Sequence, residues 1–348
     1  MALIILGAGA TRGCSFVNEK DDPSCPPLDG DFFTQLQRIR NPKHKKLIND
    51  VMKDTVDIFG ANFDATMETV FSTLEHTSRM LETTRENRDF SKKELGEKRD
   101  RLKQALAATL EASLAVHGGK GESTHQRKEC EFHDRFVRDR IQAGDEIISF
   151  NYDCTIDDSL KRHGAKKWNA RYGYGFNLGP HGSRFEGEDG WQPDDPATRE
   201  KTVKLLKLHG SLHFQIKNTP YTVKLKERPY TSQNGNLDFT IIPPEWNKTY
   251  DEGAFADLWG KAAEAIHRAK SIVLIGYSLP PTDLHTTALF RTSIKKGGLK
   301  KVTVVNPDRD ARRRIRAVLQ RGCKNTTRIV SFDMLSHFVA AERSVWAD

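Results

Sequence analysis

Five short stretches of this sequence combine glycine, asparagine, aspartate, histidine and serine in patterns that can do chemistry. The first is Gly7-Ala8-Gly9-Ala10-Thr11, directly after the apolar run Leu3-Ile4-Ile5-Leu6. Glycines at 7 and 9 would let the backbone approach a phosphate, with free N–H groups and a helix N-terminus facing it. The next glycine is Gly13, giving G-x-G-x-x-x-G, and a tight strand-to-helix turn accounts for the pattern equally well. The second stretch, Phe150-Asn151-Tyr152-Asp153, places an amide and a carboxylate after an apolar run; an Asx turn is the alternative. The third, Leu208-His209-Gly210-Ser211-Leu212-His213, sets a histidine beside glycine, where it has room for a ligand and can titrate near neutral pH as a general base must. His209 and His213 have the i, i+4 spacing of metal ligands, but Gly210 and Ser211 break a helix and no Glu follows His209. A structural role is open for His213.

The fourth stretch, Gly276-Tyr277-Ser278-Leu279-Pro280-Pro281-Thr282-Asp283, could offer N–H groups and a hydroxyl to phosphate. The fifth, Asn306-Pro307-Asp308, sets an amide where it could reach ribose hydroxyls. Turns that cap a following helix are the alternative for both, since Asp283 and Asp308 are good N-cap residues. Taken together, the five would converge on one edge of one sheet, which structural need alone does not explain.

The elements that must position them read as strands alternating with helices. Strands are expected at Ala2–Leu6, Glu146–Phe150, Val203–Leu208, Leu237–Ile242, Ser271–Ile275, Lys301–Val305 and Thr327–Phe332. Several are continuously apolar, as parallel strands buried on both faces are. Phe255, Leu258, Trp259, Ala262 and Ile266, and then Ile315, Val318 and Leu319, recur at helical spacing. Residues 31–144 read as a mainly helical module inside one domain spanning 1–348. Phe63, Met67, Val70, Phe71 and Leu74 mark one helix of it, Leu102, Leu106, Leu110 and Leu114 another, and Phe132, Phe136 and Val137 a third. Gly118, Gly119 and Gly121 read as a loop, and the polar stretch 179–199 as a surface excursion. The expected fold is α/β: a mostly parallel, Rossmann-like sheet flanked by helices.

Composition narrows the class. The 348 residues carry 55 Lys and Arg against 47 Asp and Glu, a net charge of +8, and 37% are hydrophobic. That supports a sizeable core and excludes global disorder. No apolar run approaches the ~20 residues of a membrane span, and no basic region precedes an N-terminal apolar run as in a secretory signal. Five cysteines without a C-x-x-C pair suggest neither a disulfide framework nor a zinc ribbon, so a cytoplasmic protein is expected. Basic clusters at Arg38–Lys46, Lys92–Lys103, Lys161–Arg171, Lys295–Lys301 and Arg309–Arg316 read as solvated faces more readily than as a nucleic-acid surface. No aromatic stacking pattern accompanies them.

The ordered set Gly7-Ala8-Gly9-Ala10-Thr11, Asn151-Tyr152-Asp153, His209-Gly210, Gly276-Tyr277-Ser278 and Asn306 resembles the signature elements of the sirtuin (SIR2) superfamily. Pro26-Pro27-Leu28-Asp29-Gly30-Asp31-Phe32-Phe33, His209-Gly210-Ser211-Leu212-His213-Phe214 and Gly276–Asp283 are similar to the SIR2-like proteins of prokaryotic anti-phage defence. The resemblance implies an NAD⁺ site and no metal. Gly7, Ala8, Gly9 and Thr11 would hold the pyrophosphate, and Asn151 and Asp153 would sit against the nicotinamide and its ribose. Gly276 and Ser278 would bind phosphate, Asn306 the adenosine ribose, and His209 would act as base toward a ribose hydroxyl. Asn151 would orient an attacking water.

Two departures bear on the reaction. The paired C-x-x-C motifs that hold zinc in protein-deacylating sirtuins are missing, and Thr11 replaces the more usual serine while keeping the hydroxyl. The resemblance therefore implies an NAD⁺ hydrolase that depletes NAD⁺ on infection, with a deacylase or a non-catalytic NAD- or ADP-ribose-binding subunit as alternatives. A homo-oligomer is expected, and a partner ATPase or other defence subunit would contact the helical module or the basic region Arg309–Arg321.

Overall fold

Six of the apolar runs form the central sheet. They are β1 (Leu3–Leu6), β2 (Glu146–Ser149), β3 (Lys204–Lys207), β4 (Ser271–Ile275), β5 (Lys301–Val305) and β6 (Arg328–Phe332), all parallel. The computed structural model describes residues 2–18, 25–83, 90–117, 123–177, 184–218, 221–228, 238–243 and 253–347. Every residue of β1, β2, β4 and β5 is buried, which is why Leu3–Leu6 and Ile272–Ile275 are apolar without alternation. β6 is more exposed and forms one edge.

Spatial order is β3-β2-β1-β4-β5-β6, so the sheet grows outward in both directions from β1. This is the order of dinucleotide-binding doubly wound sheets, and the reversal falls between β1 and β4. Register fixes what happens there. Leu6 pairs with Ser149 and with Ile275, Ser149 with Lys207, Ile275 with Val305, and Val305 with Phe332. The last residues of all six strands therefore lie in one row. The loops leave at the same height, each held by one more ladder bond: Phe150 N–H to Leu6, Leu208 N–H to Ser149, Gly7 N–H to Ile275, Gly276 N–H to Val305 and Asn306 N–H to Phe332.

The seventh expected strand is not in this sheet. Leu237 lies outside the described residues, and within Leu237–Ile242 only Thr240–Ile241 form a strand, antiparallel to Gly210–Ser211. Pro243 follows and removes the donor that further pairing would need. A separate three-stranded sheet, Arg184–Glu186, Phe214–Asn218 and Tyr221–Leu225, was not expected. Residues 179–183 of the polar stretch lie outside the described residues; from 184 onward it is anchored by Trp191, 1% exposed, whose Nε1 donates to the Lys226 carbonyl. The glycine loop at 118–121 also lies outside the described residues.

Between β1 and β2 the chain forms α1 (Ala8–Arg12), α2 (Phe32–Gln37), α3 (Lys45–Phe59), α4 (Met67–Thr83) and α5 (Lys92–Leu114). α5 starts at a capping box in which the Ser91 hydroxyl accepts from the Glu94 N–H and the Glu94 carboxylate accepts from the Ser91 N–H. Its Leu102, Leu106, Leu110 and Leu114 are all buried against Phe32, Phe71 and Leu74, a core separate from that of the sheet. Each such leucine contributes about 1.5–3 kcal/mol by burial. Phe63 precedes α4 rather than joining it, and packs edge-on against Phe33 with centroids 5.2 Å apart. Phe132 lies on a short helix, Glu131–Arg135, that widens into a π-helical turn over Phe136–Arg140.

The two ends of the sheet region are tied by one buried carboxylate. Asp145 accepts from the Ala2 and Gln142 N–H groups and from both terminal nitrogens of Arg343, at 2.8 and 2.9 Å.

Candidate functional site

A cavity of about 730 Å³ opens where the strand order reverses, within the size range of small-molecule sites. Gly7, Ala8, Gly9, Thr11, Asn151, Asp153, His209, Gly276, Ser278 and Asn306 all line it. The aligned strand ends explain why residues so far apart in sequence meet.

At its centre is a short relay. The Asn151 Nδ2 donates to Thr11 Oγ1 (3.1 Å), and the Thr11 hydroxyl donates to Asp153 Oδ2 (2.7 Å). The other Asp153 oxygen accepts from the Thr155 N–H at 2.9 Å. One donor and one acceptor on a single hydroxyl thus fix the amide and the carboxylate relative to each other. Asn151 Oδ1 is buried and has no hydrogen-bond partner among the described residues. A buried acceptor in that condition costs free energy unless a ligand or water meets it.

Beneath the relay lies a polar floor. Lys207, fully buried, donates to the Asp153 carbonyl (2.5 Å) and to Asp157 Oδ2 (2.9 Å). Burial opposes its charge, but Asp157, Cys154 and Asp153 together raise its pKa. Tyr174 donates to the other Asp157 oxygen, and His213 faces the Tyr174 hydroxyl at 3.0 Å and Ser211 Oγ at 2.8 Å. Burial, aided by the positive charges of Lys207 and Arg127, holds the His213 pKa well below its ordinary value. His213 is therefore part of the floor, while His209 lies in the cavity wall. The His209 ring is 5.1 Å from Phe150 and 6.2 Å from Tyr152, and Phe150 stacks on Tyr277 at 4.7 Å.

The glycines also have a packing role. The N–H groups of Gly7, Gly9 and Ala10 are bonded to the carbonyls of Ile275, Gly276 and Gly7, so these three amides do not face a ligand freely. A Cβ on Gly7 would come within 2.6 Å of Tyr277, and one on Gly276, at φ +62°, within 1.9 Å of the Ala10 nitrogen. The glycines let the turns after β1 and β4 pack backbone to backbone, which shapes the crevice. Asn306 is likewise engaged internally: its Nδ2 donates to the Tyr277 carbonyl and its Oδ1 accepts from the Asp308 N–H. Asp283 and Asp308 are N-caps, accepting from Thr286 and Asp310. Ser278 is exposed at the rim, where its carbonyl accepts from Arg314.

Sequence reading missed the remaining walls. Met67, Glu68, Leu106 and Leu110 bring the helical module to one side of the cavity, and Glu68 accepts from Thr282 at 2.8 Å across it. Burial raises the pKa of Asp29, which accepts from the Glu68 N–H. Arg12 donates to Pro26 O and Asp31, holding the Pro26–Gly30 wall. Asp333, one residue past β6, lines the opposite side, and its place after a strand was the signal that could have found it.

Behind α1 lies a second group, Cys14, Cys130 and His133, all buried. His133 Nδ1 is 3.1 Å from Cys130 Sγ and 3.7 Å from Cys14 Sγ. The hydrogen bond from Cys14, opposed by burial and aided by His133, lowers the Cys130 pKa to about 3. Burial and then Cys130 raise that of Cys14.

A doubly wound parallel sheet with a polar crevice at its reversal point defines a nucleotide-binding α/β protein. The chain matches the model of the SIR2-like domain over residues 145–324, and it belongs to that family. The matched span holds Asn151, Asp153, His209, Gly276, Ser278 and Asn306. Membership ties the protein to NAD⁺-related function, since SIR2-like enzymes use NAD⁺. No curated protein matches the chain. No described helix is long and apolar enough to cross a membrane.

Proposed function

We propose that the protein is an NAD⁺ glycohydrolase, converting NAD⁺ and water to nicotinamide, ADP-ribose and a proton. The observation that carries this reading is Asn151, whose buried Oδ1 lacks a partner among the described residues while its Nδ2 is fixed through Thr11 to Asp153. Such an amide is held rigidly with one acceptor left to orient a water at the ribose carbon. As the glycosidic bond breaks, positive charge grows on the ribose and the electron pair leaves with nicotinamide. Asp153 and the acidic wall of Asp29 and Glu68 favour that charge. His209, in its ring-lined wall, takes the role of base toward a ribose hydroxyl. The wall of Met67, Leu106 and Leu110 supports a small acceptor, water, over a peptide. The likeness of the motifs to anti-phage SIR2-like proteins supports a role as an NAD⁺-depleting effector, acting as a homo-oligomer or with a partner subunit.

Mass-spectrometric analysis of products from NAD⁺ tests this. Wild type should release nicotinamide, while Asn151→Ala and His209→Ala lower turnover by about 10²-fold or more with the fold kept. Wild-type rates in both variants would remove Asn151 and His209 from the reaction. Tight NAD⁺ binding with no nicotinamide release, alone or in cell extract with phage components, would replace the enzyme by a binding subunit.

A further inference from the structure

We propose that Cys14, Cys130 and His133 form a Zn²⁺ site that clips the end of α1 to the segment preceding β2. The three ligand atoms, Cys14 Sγ, Cys130 Sγ and His133 Nδ1, lie within 4.8 Å of one another, and all three residues are buried. Zinc–sulfur bonds of about 2.3 Å and zinc–nitrogen bonds of about 2.0 Å set tetrahedral sulfur–nitrogen edges near 3.6 Å. The observed edges, 3.7 and 3.1 Å, bracket that value. Two soft thiolates and an imidazole suit zinc over the hard cations that prefer oxygen. A water completes the tetrahedron.

The local chain conformation prepares the ligands. Cys130 is the N-cap of the helix Glu131–Arg135 and His133 lies in its first turn, so the two form a C-x-x-H chelate on one short element. The Ser15 N–H points at Cys130 Sγ from 3.4 Å, while the Ser15 hydroxyl accepts from the Glu131 N–H at 2.9 Å. Cys14 and Ser15 therefore both address the start of that helix, and these outer contacts orient the sulfur as ligand-supporting shells do. Access for an oxidant is poor at three buried groups, which favours a bound ion over a thiol–disulfide switch. Binding displaces to solvent the protons that the two thiols and the ligating nitrogen carry, leaving two thiolates to balance the metal charge. Thr11, three residues before Cys14, carries the hydroxyl at the centre of the relay, so the ion would hold that hydroxyl in place from behind.

The test uses the full chain, purified under reducing conditions, stripped by chelation, then loaded with Zn²⁺ or Co²⁺ and freed of excess. About one zinc per chain is expected by elemental mass spectrometry, with thiolate-to-cobalt charge transfer and intense tetrahedral d–d bands in the cobalt form. Cys130→Ser should retain under about a tenth of an equivalent, and Cys323→Ser should bind as wild type does. Circular dichroism checks that each variant is folded. Should Cys130→Ser not fold, the wild-type cobalt spectrum decides alone, because charge transfer of two-thiolate intensity requires both cysteines. The proposal is overturned by wild type that retains no zinc, by a cobalt spectrum without thiolate bands, or by undiminished retention in folded Cys130→Ser.

Discussion

Replacing Thr11 by valine keeps the side-chain shape and removes only the hydroxyl. Thr11 is 2% exposed, so no bulk water replaces what is lost. Asp153 Oδ2 then lacks the donor that stood at 2.7 Å, and Asn151 Nδ2 lacks its acceptor at 3.1 Å. A hydrogen bond to a charged group is worth about 1.5–3 kcal/mol, and an unsatisfied buried amide costs about 1–3 kcal/mol. The two share one atom and do not simply add, so a loss of about 2–5 kcal/mol is expected in urea unfolding. Turnover should fall further than stability alone explains. Freed from Thr11, Asn151 can rotate, and a displacement of about 1 Å costs roughly 10²-fold in rate. Thr11→Ser keeps the hydroxyl and removes one methyl, costing about 1 kcal/mol and little activity. The assay pairs the urea midpoint with the initial rate of nicotinamide release for all three proteins. Thr11→Val unfolding within about 0.5 kcal/mol of wild type would refute the relay whatever the activity.

Perturbations at four other residues are expected to behave as follows. Arg343→Ala leaves the buried Asp145 with its two N–H donors but no counter-charge, and should cost about 3–5 kcal/mol in thermal unfolding; the double variant with Asp145→Asn should recover part of it. Gly276→Ala forces a Cβ to 1.9 Å from the Ala10 nitrogen at φ +62° and should cost more than about 3 kcal/mol or prevent folding. Gly260→Ala, on the helix Gly253–Arg268 with nothing within 4 Å of the added carbon, should instead stabilise by up to about 1 kcal/mol. His213 is held neutral in the native state, whereas the unfolded chain protonates it near pH 6.5. Below that pH the unfolded state binds one more proton, so stability falls by up to about 1.4 kcal/mol per pH unit until the native histidine itself titrates. The difference in urea midpoint between wild type and His213→Gln should therefore change between pH 7 and 5, and a pH-independent difference would contradict a neutral buried imidazole.

The sheet was legible because its strands are runs such as Leu3–Leu6 and Ser271–Ile275, buried on both faces and stopped by glycine or asparagine. Local signals and global packing agree at those positions. Thr240–Ile241 has similar local chemistry but pairs with a short turn, since nothing in a six-residue window tells a central strand from a satellite one. The strand-end residues could be read from topology, because parallel strands in one sheet present all their C-terminal ends to one edge. The walls at Arg12, Met67 and Leu110 could not be so read. Their placement depends on how the helical module docks against the sheet, which periodicity within each helix does not encode. Gly7, Gly9 and Gly276 were read as approach to a ligand; they line the cavity, and their lack of a Cβ also lets one turn approach another, a demand that a local motif does not reveal. The group of Cys14, Cys130 and His133 was passed over because only its C-x-x-H half is local, and the third member comes from the far side of the helical module.

The central position of β1 has a consequence for how the chain is made. Leu3–Leu6 is synthesised before both of its neighbours, which begin at Glu146 and Ser271. Until β4 is synthesised, this strand has no partner on the side where the crevice forms. The helices α3 to α5 rest on contacts close in sequence, and they can assemble while the rest of the chain is still being translated. The relay needs only β1, β2 and the turns after them, whereas the crevice arises late, once β4 exists. A nascent chain arrested before residue 271 has no β1–β4 crevice, so any ligand of that crevice engages only chains whose synthesis has passed it.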